Sequence, residues 1–207
     1  GVHALKNALI PTVLLRGCKS CPDLRAITNR LDELYGAAVS PLVRRIGDYQ
    51  TTGLSCSFMR EEYALDGDAV FAPMVAFLEE LMFRPLLENG VFPAEFVESE
   101  KRNLIAAIQS RRNDKRLYAS DRLMGLMCKA DSFGIPRLGD KEKVAEIDAR
   151  TLYDHYRKIL KESPMELFYV GSAQPEQVAA LLRPLFQNME RDYVNLPEQS
   201  GFHCCPG

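Results

Sequence analysis

The sequence predicts an α+β domain, with helices packed on one face of a mainly antiparallel sheet. Three observations carry that expectation. Apolar residues recur at three- and four-residue spacing through several separate stretches, the pattern of core-facing helices. One segment switches to period two, where Leu54, Cys56 and Phe58 alternate with Ser55 and Ser57, and Gly47-Asp48 marks a hairpin turn back to Ser40–Ile46. A late apolar run, Met165 to Val170, leads through Gly171 into a further helix, so a strand is expected there too.

The elements follow in order. Asn7 to Leu15 forms a dense apolar run that contains Pro11 and is stopped by Gly17, which predicts a short buried helix. Pro22 and Asp23 open a second helix whose stripe is Leu24, Ile27, Leu31, Leu34 and Tyr35, ended by Gly36. After the hairpin, Val70 to Met82 is strongly amphipathic and stops before Pro85. The fourth helix runs from Phe92 to Ser110, the fifth from Leu117 to Cys128, and the sixth from Thr151 to Leu160 behind a capping Asp148. A last helix spans Pro175 to about Phe186. Beyond Glu190 the pattern dissolves, so residues 1–189 read as one domain and 190–207 as a linker or truncated tail.

Composition narrows the function classes. The chain has 207 residues, 46% hydrophobic and 26% charged, with 26 Lys and Arg against 28 Asp and Glu for a net charge of −2. That balance supplies no basic excess for nucleic acid. No run approaches the ~20 apolar residues that span a bilayer, and the start lacks a secretory leader pattern. The expectation is a soluble, cytoplasmic chain with neither a nucleic-acid nor a membrane partner. Six cysteines are too sparse for a disulfide scaffold of this size.

Little catalytic chemistry is on offer. Only three histidines occur, His3, His155 and His203. Neither H-E-x-x-H nor its inversion H-x-x-E-H is present: His3 is followed at those spacings by Lys6 and Asn7, and His155 by Lys158 and Ile159. No G-x-S-x-G elbow and no glycine-rich phosphate loop occurs. Cys18-x-x-Cys21 and His203-Cys204-Cys205 offer five soft ligands, which leaves open a cysteine-based metal or redox module. The run Arg111-Arg112-Asn113-Asp114-Lys115-Arg116 reads either as a solvated helix end or as a basic rim for acidic groups on a peptide or partner.

Three stretches in sequence order carry a resemblance. They are NALIPTVLLRG with the helix ending Leu34-Tyr35-Gly36-Ala37, Phe96 to Lys115, and Tyr169-Val170-Gly171 before the last helix. Together they resemble the N-terminal half of the pitrilysin/insulinase family of zinc metallopeptidases, in a bacterial branch whose zinc motif is degenerate. The resemblance implies one half of a pitrilysin- or mitochondrial-processing-peptidase-like fold. In the register set by Gly17, the family's two metal histidines fall on Ala8 and Thr12, its base glutamate on Pro11, and its third ligand on Ala107. Glu100 keeps an earlier family glutamate. What this implies is a non-catalytic scaffold that encloses peptide, with no cofactor of its own and zinc only in a catalytic partner. The expected partners are a catalytic homologue, the family's C-terminal half and a peptide substrate, with Glu100, Arg111, Arg112 and Lys115 as candidate contacts. An active hydrolase with an unrecognised site is the alternative.

Overall fold

Helix α1 (Val2–Leu14) is the central element of the computed structural model, which describes residues 2–47, 49–129, 134–136, 138–187, 189, 191, 192 and 194. Leu5, Leu9 and Val13 recur at helical spacing and are buried, as are Ala8, Ile10 and Leu14, so the helix is covered on most sides. Pro11 lies inside it and has no N–H for the carbonyl of Asn7 four residues back. That carbonyl instead accepts a 2.6 Å hydrogen bond from Thr52 Oγ1.

Thr52 belongs to a hairpin of β1 (Ala38–Ile46) and β2 (Tyr49–Ser57), paired antiparallel from Ala38 opposite Ser57 to Ile46 opposite Tyr49. Gly47 takes the positive φ of 56° that the turn requires. These are the only strands among the described residues, and they form a two-stranded sheet.

Helices α2 (Leu24–Glu33), α3 (Phe71–Phe83), α4 (Ala94–Asn113), α5 (Lys115–Met127), α6 (Ala149–Glu162), α7 (Pro175–Leu182) and α8 (Pro184–Gln187) complete the order. Asp23 caps α2 by accepting from the Ala26 N–H. Asp148 caps α6 with a reciprocal box: its Oδ1 accepts from Thr151 N at 2.7 Å, and Thr151 Oγ1 accepts from Asp148 N at 3.2 Å. One apolar cluster joins α1 to Phe92, to Val97 and Leu104 of α4, and to Leu152 and Tyr156 of α6. A second joins Cys18 and Cys21 to Ile27 and Leu34 and to Met74, Phe77 and Leu81 of α3, with Leu54 and Cys56 of β2 against it.

Several predicted boundaries move. The first helix starts at Val2 because Leu5 continues the buried spacing ahead of the dense run. The fourth helix runs on to Asn113 rather than ending at Ser110, so the basic run begins inside it. Arg111 and Arg112 lie in the last turn of α4, and Asp114 caps α5 by accepting from the N–H groups of Arg116 and Leu117. The last predicted helix divides at Arg183 into α7 and α8. Met165 to Val170 is not a strand: among the described residues no backbone hydrogen bond to another backbone group is found along it, and Phe168 and Val170 are 83% and 99% exposed. A strand is defined by its neighbour, and none lies beside this segment among the described residues.

Candidate functional site

Ala8, Thr12 and Ala107, placed far apart in sequence, line one pocket of about 440 Å3. Two helices and a strand form its walls. Ala8, Leu9 and Thr12 come from α1, Glu100, Asn103, Leu104 and Ala107 from α4, and Pro41 to Arg44 from β1. The spacing explains the α4 wall, since residues 100, 103, 104 and 107 share one face of a helix. Pro11 is buried in α1 beside the pocket rather than in its lining.

Zinc requires three or four nitrogen, sulfur or oxygen donors. Ala8, Pro11 and Ala107 have no donor side chain, and the Thr12 hydroxyl donates to Leu9 O at 2.9 Å. A zinc ion does not fit this residue set. Among the described residues, no three His, Cys, Asp or Glu side chains gather as a metal site would need.

Glu100 and Arg44 are the charged residues of the pocket lining, and Glu100 is only 8% exposed. Its Oε1 accepts from Asn103 Nδ2 at 3.1 Å and stands 3.6 Å from Arg16 Nη1. The Arg16 guanidinium lies over the Phe96 ring, 5.6 Å from its centroid, and its buried Nε has no hydrogen-bond partner. Sequence reasoning selected Glu100 but missed Arg16, Asn103 and the β1 wall. The overlooked signal for Asn103 is its place three residues after Glu100 and four before Ala107 on one helix face. The β1 contribution depends on tertiary packing.

The other candidates lie elsewhere. Arg111 grips Asp121 with two bonds, Nε to Oδ2 at 3.1 Å and Nη2 to Oδ1 at 2.9 Å, which clamps α4 to α5 and holds its pKa above the ordinary arginine value. Arg112 and Lys115 are exposed at that junction, and none of the three lines the pocket. Cys18 and Cys21 are buried free thiols in the second cluster, where burial raises the Cys18 pKa. Their tight turn is set by Cys18 N donating to Cys21 O at 2.8 Å. His203, Cys204 and Cys205 fall outside the described residues.

His155 joins the back of α1 to α6. Its Nε2 lies 2.8 Å from Asn7 Oδ1, and its ring is 5.2 Å from that of His3. Burial, then the charges of His3, Lys6 and Lys158, lower its pKa to about 4. Asn7 Nδ2 donates to Gln50 Oε1 and Gln50 Nε2 to Ala4 O, so this polar group ties α1 to β2 as well. It is a structural network on the side of α1 away from the pocket lining.

No protein-family model matches the chain. It is 34% identical over 186 residues to the probable inactive metalloprotease YmfF of Bacillus subtilis (strain 168), an alignment covering 90% of this chain and 44% of that protein. A conserved protein from Enterococcus faecalis V583 superposes with a TM-score of 0.81 at 30% identity, over 88% of this chain and 43% of the other. An inactive M16 peptidase domain from Pseudomonas fluorescens shares the fold at 19% identity and a TM-score of 0.54, over 72% and 32%. The chain thus spans less than half the length of each of these proteins. With the motif positions meeting at one pocket and these likenesses in sequence and fold, the chain belongs to the pitrilysin/insulinase family of metallopeptidases, as one half of that fold carrying a degenerate zinc motif.

Proposed function

We propose that this chain is a non-catalytic peptidase homologue that forms one wall of a peptide-enclosing chamber and pairs with a zinc-bearing partner. The observation that carries the proposal is the pocket itself. Three of the positions that the resemblance assigns to the metal site, Ala8, Thr12 and Ala107, line one pocket, and they bear two alanines and a threonine whose hydroxyl is already engaged. The scaffold is kept while the donors are gone.

The peptide contact is the pocket wall formed by Pro41 to Arg44 of β1 and the facing residues of α1 and α4. The partner surface is the outer face of α5, where Leu123, Leu126 and Met127 are exposed and no residue of the helix is buried. Any zinc belongs to the partner. A cytoplasmic setting is supported by the free thiols of Cys18 and Cys21.

Mixing the chain with a homologue that carries an intact H-x-x-E-H motif tests this reading. A stable complex on size exclusion, with peptidase activity above that of the homologue alone, is the expected result. Chelator-sensitive cleavage by this chain by itself, or no association and no gain, would overturn it.

A further inference from the structure

Two exposed patches of this chain, far from the pocket beneath β1, complement each other. The first is on α5. Leu123, Leu126 and Met127 follow the three- and four-residue spacing of one helical stripe, and each is more than half exposed. Lys115 and Arg122, seven residues apart, set a line of cations beside that stripe, and Arg116 lies on the same face seven residues before Leu123; all three are exposed. The helix has one acid, Asp121, and Arg111 holds it.

The second patch is a groove of about 400 Å3 between the end of β2 and residues 168–173. Its floor is aromatic: the Phe71 ring stacks on Phe58 and on Tyr169, at 5.5 and 5.1 Å between centroids. Its rim is apolar at the exposed Phe168 and Val170 and acidic at Glu62. From Glu61 to Asp68 the adjoining loop carries four carboxylates, no cation, and the exposed Tyr63 and Leu65. Glu61 accepts from the N–H groups of Val70 and Phe71, and Arg60 pairs with Glu62 at 2.9 Å, which leaves Asp66 and Asp68 without a counter-cation among the described residues.

Two α5 faces set against each other would oppose cation to cation, and two grooves carboxylate to carboxylate. An α5 face against a groove pairs unlike charges around a shared apolar contact. A helix that lays its apolar stripe into a groove is a recurring mode of docking. We propose that α5 of one copy docks in this groove of a second copy of the chain, with Leu123, Leu126 and Met127 toward the aromatic floor and Lys115 and Arg122 toward the acidic loop. The contact uses the α5 face offered above to a zinc-bearing partner, but it needs nothing outside this chain.

Analytical ultracentrifugation of the full chain tests this. The wild type should associate as its concentration rises, and about tenfold more weakly at high salt, which screens exposed charges. Arg122→Glu with Leu126→Glu on α5, and Glu62→Lys with Phe168→Lys at the groove, should each give a monomer with unchanged helical circular dichroism, since all four side chains are exposed. Mixed in equal amounts, the two variants should form a dimer and nothing larger, because each keeps the patch that the other lacks. That recovery also shows that both remain folded. A wild type that stays monomeric, either variant associating like the wild type, or a mixture that remains monomeric would overturn the assignment. The pairing with a zinc-bearing homologue is decided separately, by its own mixing experiment.

Discussion

His155 shows how one side chain couples burial to pH. Its folded-state pKa of about 4 lies below the ordinary 6.5, so the unfolded chain binds more protons between those values. The neutral ring favours the folded state fully above about 6.5, and that contribution is lost as pH falls toward 4. Thermal melts across this window should therefore show a falling Tm. His155→Gln, which keeps a polar partner for Asn7, should flatten the part of the slope that belongs to this residue; an unchanged slope would place the titration elsewhere. Gly17 illustrates a different constraint. A Cβ there would stand 2.7 Å from the Pro22 carbonyl oxygen and 3.2 Å from the Phe96 ring, so glycine is required by close approach where α1 turns toward the buried cysteines.

Among the elements, those whose signals are local were legible in the sequence. Period and caps placed α2, α3, α4 and α6 closely, and Asp148 was readable as a cap because its partner Thr151 is three residues away. Asp148→Ala should lower stability by about 1 kcal/mol in denaturant melts. Met165 to Val170 misled because its composition is that of a buried strand, apolar at nearly every position, while a strand also needs a neighbour that sequence cannot supply. The start of α1 was misjudged for the opposite reason: Val2 and Leu5 continue the helix with His3, Ala4 and Lys6 around them, and the dense run after Asn7 drew the boundary inward. The resemblance named Ala8, Thr12 and Ala107, which line one pocket, and Pro11, which does not. The β1 wall and the Arg16 contact were not legible, because they join residues more than 55 positions apart from Glu100.

At the scale of the molecule, exposed apolar side chains among the described residues include those on the outer face of α5 and those of residues 167–170, where Tyr169 stacks on Phe71 while Phe168 and Val170 face solvent. Surfaces of this kind drive association. Sedimentation of the isolated chain should show concentration-dependent self-association, and Phe168→Lys with Val170→Lys should shift it toward monomer without loss of helical signal. A monomer at all concentrations would show that these surfaces carry no such drive. Pro11 has a longer reach. Its missing N–H leaves the Asn7 carbonyl to Thr52, and that bond rivets the helix to the hairpin. Any residue with an amide hydrogen at position 11 would bring a competitor for the same oxygen, so the proline that weakens the helix's own ladder is what moors it to its neighbour.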